Sequence, residues 1–455
     1  MNRIKRTGWW IGIAGVLASG IVLAGEGGIV SLDHCIRAAL EASPDLQGAE
    51  ARLEAARAAV RDAQSAYYPQ VSLGANWMRT DNPPQAFFME LNQRTASLEK
   101  DFNNPDDTEN TRGSVSARWR LYDGGRREAD GRAARLTGEA AARMTEAARN
   151  ELIFQVTRAY YGVLQATAFM EIQREAVASV EESLRVAKER LSAGSAIRTD
   201  VLNLEVQHSQ AREDLIRVTN GRKLAVAALN TAVGREVLAE SAVVPVVTTV
   251  EPLQRMVVAE RDVEQRPELA GIRLQERATE AMAQRARRDY YPVISAFGSA
   301  DWDSQSMDNF EQSYIVGAAA ELNVFDGFHN RAALAGAKAM HRSAQAMNAK
   351  VRNQLLLDLK QAKLREEESW ERMGVAEKSV TSAEEALRIT KERYQQGASD
   401  ITELLTAQVG RTATRSRWVA AYYDYKVALS DVDRASGKLE FDWREKASDA
   451  PAKNR

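Results

Sequence analysis

Four short motifs in this chain are written twice, and that repetition limits its possible folds more than any composition figure does. Pro44-Asp45-Leu46-Gln47-Gly48 returns as Pro267-Glu268-Leu269-Ala270-Gly271, an offset of 223, and Tyr67-Tyr68-Pro69 returns as Tyr290-Tyr291-Pro292 at the same offset. Leu121-Tyr122-Asp123-Gly124 is echoed by Val324-Phe325-Asp326-Gly327, and Lys188-Glu189-Arg190 with Gly194 by Lys391-Glu392-Arg393 with Gly397, both at an offset of 203. The 20-residue difference therefore falls between the Tyr-Tyr-Pro and Asp-Gly motifs. A chain built this way folds as two copies of one structural unit. Residues 25–234 form the first copy and 267–437 the second. Residues 235–266 form a linker whose Val243-Val244-Pro245-Val246-Val247 reads as extended, and 438–455 is a polar tail.

After each Asp-Gly motif the apolar residues follow a heptad. Leu152, Val156, Ala159, Val163, Ala166, Met170, Val177, Val180, Leu184, Ala187 and Leu191 lie at alternating spacings of three and four, interrupted only by Gln173. Leu355, Leu359, Ala362, Met373, Ala376, Val380, Ala383, Leu387 and Tyr394 occupy the same slots in the second copy. The span from Arg127 to Ala193 is 67 residues, about 100 Å of helix. A helix returns from Arg198 to Gly234, and the segment from Asp45 to Ala66 is helical too. Placed end to end, these two come close to the length of the long helix. Only 10 prolines and 27 glycines in 455 residues suit such long helices. Seams this narrow and rich in alanine bury little by themselves, so the helices need neighbours on more than one side.

Between the Tyr-Tyr-Pro and Asp-Gly motifs the period changes to two. Val71, Leu73, Ala75 and Trp77 alternate with polar or small residues, as do Val115, Ala117, Trp119 and Leu121. Ile294, Ala296, Ala300 and Trp302 keep that parity in the second copy, followed by Val316, Ala318, Ala320, Leu322 and Val324. Runs of about 9 to 11 residues fit tilted strands that cross a bilayer, and they also fit a soluble hairpin with one face on a core. A bilayer accepts only closed barrels, which have at least about eight strands. One chain cannot close one, whereas two, three or four copies can. The connections Met78 to Arg112 and Asp303 to Gln312 read as solvent-exposed loops, with Phe87-Phe88-Met89 folding back on the first.

The start of the chain reads as an export signal over residues 1–24. Arg3, Lys5 and Arg6 precede an uncharged run from Gly8 to Leu23, small residues end at Ala24, and Gly25-Glu26-Gly27-Gly28 follows. An uncleaved anchor is the alternative. Cys35, the single cysteine, reads as a small buried side chain on a short helix. With 61 basic against 63 acidic residues and no basic stripe, nothing points to nucleic acid. His34, His208, His329 and His341 are isolated, without metal-ligand spacing, and no nucleophile elbow or phosphate loop occurs. The sequence thus offers no catalytic, metal or cofactor site. His208 sits in a helical seam as a core residue.

The export signal, the doubled Tyr-Tyr-Pro and Asp-Gly junctions, and the paired tips Arg-Leu-Ser-Ala-Gly (190–194) and Arg-Tyr-Gln-Gln-Gly (393–397) together resemble the TolC-type outer-membrane efflux family over nearly the whole chain. The resemblance implies a mainly α fold in which long antiparallel coiled-coil helices form a periplasmic α-barrel. Four strands per chain would join a trimeric 12-stranded transmembrane β-barrel. It also implies a homotrimer in outer membrane lipids, docked by a periplasmic adaptor protein and an inner-membrane transporter, acting as a passive conduit for efflux or type I secretion. A soluble periplasmic coiled-coil scaffold is the rival reading. By resemblance the periplasmic gate falls on Tyr394 and Glu403, with Asp200 the repeat equivalent of Glu403. The family's tip basic residue and second acidic residue fall on Ser399 and Thr406, which here carry hydroxyls. Asp400-Ile401-Thr402-Glu403 also has capping-box spacing, which gives Glu403 an alternative role as a cap. Arg190, Leu191, Ser192 and Gly194, with Arg393 and Gly397, are the expected adaptor contacts. Trp77, Trp119 and Trp302, on the apolar parity, are the expected membrane girdle.

Overall fold

The computed structural model describes residues 31–237, apart from Leu98 and Phe102, and residues 260–438. The expected export signal, the Val243–Val247 stretch and the tail after Lys438 lie outside the described residues. Helices α1 (Leu32–Ala42) and α2 (Pro44–Ser65) lead into β1 (Gln70–Thr80), and a short helix α3 (Pro83–Asn92) precedes β2 (Thr108–Tyr122). Then come the long α4 (Arg126–Ser192) and the returning α5 (Arg198–Val233). A 3-10 turn (Glu260–Gln265) opens the second copy, which runs through α6 (Pro267–Arg288), β3 (Val293–Ser304), β4 (Glu311–Glu321), α7 (His329–Gln395) and α8 (Ile401–Ser436). The repeat is exact in helix length: α4 and α7 each have 67 residues, α5 and α8 each 36, and α2 and α6 each 22.

Local chemistry sets the breaks. Ser43 ends α1 and caps α2, accepting from the Leu46 amide at 3.5 Å, and Pro44 fits the first turn because it needs no amide partner there. Each tip turns at a glycine with positive φ, Gly194 at 71° and Gly397 at 76°. The strand-to-helix turns are more elaborate. Asp123, 1% exposed, accepts from the amides of Gly125, Arg126 and Arg127 at 3.1 to 3.2 Å, satisfying the free N–H groups that begin α4. Gly124, at φ 70°, lies so close to the other repeat that an added Cβ would fall 2.4 Å from the Tyr291 Cβ. Arg126 donates to the carbonyls of Arg288, Asp289 and Tyr291 and pairs with Asp289 at 3.0 Å. The Asp-Gly motif of one copy is thus fitted to the Tyr-Tyr-Pro motif of the other.

The four strands form one antiparallel sheet in the order β1-β2-β3-β4. Register places Leu73, Val115, Ala300 and Tyr314 in one cross-strand row, and Val71, Ala117, Gly298 and Val316 in the next. The apolar parity of all four strands therefore shares one face. The opposite face carries the rows Ser72-Ser116-Ser299-Ile315 and Asn76-Arg112-Asp303-Glu311. A bulge between Arg120 and Tyr122 shifts the pairing with β3 at the helix-proximal end. Three sequence expectations change here. The long connection is strand up to Thr80 and again from Thr108, with a helix between. Asp303, expected in an exposed turn, is fully buried strand. Leu322 and Val324 lie past the end of β4.

The helices pack around three apolar clusters. One, at mid-height, joins α1 (Cys35, Ile36), the middle of α4 (Leu152, Val156, Tyr160), the end of α5 (Leu229, Val233) and Tyr423 of α8. A second joins Val263 and Leu269 to Leu359 of α7 and Val432 of α8. Beside it, Arg266 (2% exposed) donates to Asp358 at 2.7 Å and Glu268 at 2.7 Å, and Arg434 donates to Asp358 at 3.0 Å. The third cluster is at the tip. His208, expected in the core, is half-buried on α5. No described helix is long and apolar enough to cross a membrane.

Candidate functional site

At the tip, the α4–α5 and α7–α8 hairpins meet, with α8 packed against α4. Tyr394 packs with Val180, Ala187, Val201, Leu204, Ile401 and Leu404, and Leu191 borders that cluster. The Arg190 guanidinium lies 5.3 Å from the Tyr394 ring centroid and donates to the Tyr394 carbonyl at 2.8 Å. Burial pushes the Tyr394 phenol above its ordinary range, against the opposing pull of Arg190, and Asp200 adds to the rise. Gly397, held at a positive φ of 76°, lies beside Arg190, whose Nη2 would be in ordinary contact with an added Cβ at 3.5 Å. Arg190, Leu191, Tyr394, Gly397 and Asp200 are thus one assembly that ties the two hairpins together. Arg190 and Leu191 are half-buried, so the exposure expected of them at the tip is only partial.

A second group surrounds Glu403. Asp400 is the cap of α8, its carboxylate accepting from the Glu403 amide at 2.8 Å. The Glu403 carboxylate does not complete a capping box. It accepts from the Ser399 hydroxyl and faces Arg393 at 3.8 Å, with more than half of its side chain exposed. Arg393 also donates to the Ala398 carbonyl at 3.1 Å. Thr406, one turn on, returns its hydroxyl to the Thr402 carbonyl at 2.8 Å and stands apart. In the first tip, Ser192 donates to the Glu189 carbonyl at 2.7 Å, and Gly194 has open space around it.

The sheet's apolar face lies open over much of its area. Leu73 is 80% exposed and Val316 78%, on a face with no helix over it among the described residues. Trp77 shares its row with Thr111, and Trp302 is in the next row with Gly113, both toward the end of the sheet away from the helices. Trp119 sits at the helix-proximal end, where its indole donates to the Tyr67 carbonyl at 3.0 Å. Thr111 and Trp119 are separated by about 26 Å along β2 at about 3.3 Å per residue, about 20 Å of height at a strand tilt of about 40°, which falls within the apolar band of about 25 Å that a barrel presents to lipid.

One structural feature was not expected from the sequence. Helix α3 sits on the polar face at the outer end of the sheet, held by Gln93, which donates to Asn110 at 2.9 Å and to the Glu109 carbonyl at 2.7 Å. The signal was present: Asn82 caps a Pro-started turn, and Ala86, Met89 and Gln93, spaced for one helix face, are all buried. Among the described residues, no group of three or more His, Cys, Asp or Glu side chains could hold a metal ion.

The sequence model of the family described as "Outer membrane efflux protein" matches residues 35–235 and 259–438. The chain belongs to the outer membrane efflux protein family. Protein CyaE of Bordetella pertussis is 26% identical over 433 residues, covering 90% of this chain and 84% of its own. Outer membrane protein TolC of Vibrio cholerae is 23% identical over 428 residues, covering 88% and 89%. A crystal structure of a membrane protein from Pseudomonas aeruginosa shares the fold, with a TM-score of 0.78 at 23% identity over 90% of this chain and 95% of that one. The efflux-family chain is an outer-membrane channel protein of the efflux and secretion class, with its sheet in the outer membrane and its helices in the periplasm.

Proposed function

We propose that three copies of this chain close a 12-stranded barrel over a helical tunnel and serve as the passive outer conduit of a tripartite machine. The observation that carries the reading is the four-stranded sheet with one open apolar face and two unpaired edges, β1 and β4. Such a sheet is unstable in water, and in lipid it needs partners at both edges. The helices show the same incompleteness. Leu202, Val206, Ile216 and Leu224 are exposed on α5, and Met340, Met347, Leu357 and Val375 on α7, so apolar surface is left at both sides of the helical layer. Pairing β4 and α7 of one chain with β1 and α5 of the next satisfies both.

In this reading Trp77 and Trp302 form the outer aromatic girdle and Trp119 the inner one. The tip closes the tunnel. Asp200, Ser399 and Glu403 line the constriction, with Thr406 one turn further along α8 and Tyr394 buried behind them as the residue that fixes the two hairpins together, and three Glu403 carboxylates form an acidic ring that favours cations. Ser399 occupies the position where the family resemblance puts a basic residue. Its hydroxyl and Arg393 take over as the partners of Glu403. Arg190, Leu191, Ser192 and Gly194, with Arg393 and Gly397, present the end of the tunnel to a periplasmic adaptor, which links it to an inner-membrane transporter. A conduit of this kind needs no catalytic group and no cofactor.

Planar-bilayer recording of the purified protein tests the conduit reading. Discrete, cation-preferring conductance steps are expected, and a protein that leaves the bilayer silent at all applied voltages contradicts it.

A further inference from the structure

We infer that the channel carries a second constriction at its outer mouth, built by α3 on the lumenal face of the barrel, an inference that rests on the trimeric barrel proposed above. The outer end of the sheet is where β1 ends at Thr80 and β3 turns into β4, away from the helices that adjoin Gln70 and Tyr122. There α3 is fixed across the polar face. Gln93 holds Asn110 of β2, and Arg94, in the left-handed conformation (φ 56°) that ends α3, pairs with Glu311 of β4 at 3.2 Å and donates to the Gln312 carbonyl at 3.4 Å. Between these anchors lies Asp303 of β3, fully buried, accepting from Asn110 at 2.6 Å and from Arg112 at 2.7 Å. Its Oδ2 is buried with no hydrogen bond among the described residues. Asn110, Arg112, Asp303 and Glu311 all belong to the polar parity, which is the lumenal one in a barrel whose apolar face meets lipid.

The side of α3 turned away from the sheet is apolar, with Phe88 62% exposed and Leu91 46%. In a closed barrel that side faces the axis. Three copies of the four-stranded sheet, at about 4.8 Å between strands and a tilt of about 40°, close at a backbone radius of about 12 Å. A helix with its side chains is about 10 Å wide, so three of them inside that rim meet near the axis. The occupants of each Phe88-Leu91 face are therefore the α3 helices of the other two chains. Opening the mouth requires α3 to lift off Asn110 and Glu311, and the half-satisfied Asp303 makes that seat releasable.

Because Cys35 is the only cysteine, a Cys35→Ala background gives a clean test in the full-length protein. Phe88→Cys in that background should form oxidant-dependent dimers between protomers, and a bulky cationic thiol reagent added from the outer side should cut its current by about threefold or more. Asp308→Cys, exposed on the outer β3–β4 turn, should conduct normally before and after the reagent. As a second variant, Gln93→Ala with Arg94→Ala, which leaves every strand residue in place, should raise the conductance. A normally conducting trimer in which the introduced thiol at position 88 neither crosslinks nor affects the current would overturn the outer constriction alone. Absence of both trimer and current in the Cys35→Ala parent would overturn the trimeric barrel and this inference with it.

Discussion

Glu403 separates a structural from a functional account at the level of single atoms. Its sequence context allows it to be a helix cap, yet the cap is Asp400, and the Glu403 carboxylate reaches only Ser399 and, more distantly, Arg393. Glu403→Ala should therefore leave the melting temperature almost unchanged, because exposed pairs contribute about 0–1 kcal/mol. It should reduce the cation preference of the reconstituted channel, read from the reversal potential in a salt gradient. Asp358 is the opposite case. Burial pushes its carboxyl up, but the guanidiniums of Arg434 and Arg266 outweigh that and hold it below the usual carboxylate range. A depressed folded-state value contributes stability above the unfolded pKa of about 3.9, lost as pH falls through the folded one. Asp358→Ala, which leaves the buried Arg266 with Glu268 alone, should cost about 1–3 kcal/mol at neutral pH. A melting curve of this variant should also lose part of the wild-type fall in stability below about pH 4.

The helices were legible in the sequence almost in full, and the sheet less so. Heptad slots such as Leu152, Val156, Val163 and Val180 are buried as the period demands, because a long helix shows the same period whatever packs beside it. In the second copy Leu355, Leu359 and Ala362 keep that burial, whereas Met373 is only half-buried where its counterpart Met170 is buried, since α7 lies at an edge of the protomer, which the period does not show. The connection rich in Asn, Asp and Pro hid α3, whose ten residues are too few for periodicity to stand out, and its seat depends on Asn110 and Asp303, 193 residues apart in sequence. At the tip the Arg190–Tyr394 contact was equally invisible, being a meeting of the two repeats. The strand-to-helix junctions were legible as motifs, while their mutual fit was not. Gly124→Ala tests that fit. Its positive φ and the approach of Tyr291 predict a loss of about 2 kcal/mol or more, seen as a lower melting temperature of the assembled protein. An unchanged melting temperature would show that the two repeats do not bear on each other at this turn.

At the scale of the molecule, incompleteness is the most informative property of the protomer. Strands β1 and β4 each lack a neighbour, the apolar parity of the sheet lies open, and α5 and α7 leave Ile216, Leu224, Met347 and Leu357 uncovered on the two sides of the helical layer. A soluble scaffold would conceal these surfaces against its own chain, and here nothing in the described residues covers them. Cyclic closure covers all of them together, with strand edge meeting strand edge and helix meeting helix. Closure also brings the three tips and the three α3 helices to a single axis, giving one conduit with a constriction at each end. The most direct test of this account is the mass of the mature protein extracted from outer membranes in mild detergent, measured by light scattering corrected for bound detergent. Three protomers per particle are predicted, whereas a soluble monomer or dimer recovered from the periplasm would contradict the shared barrel and favour a scaffold.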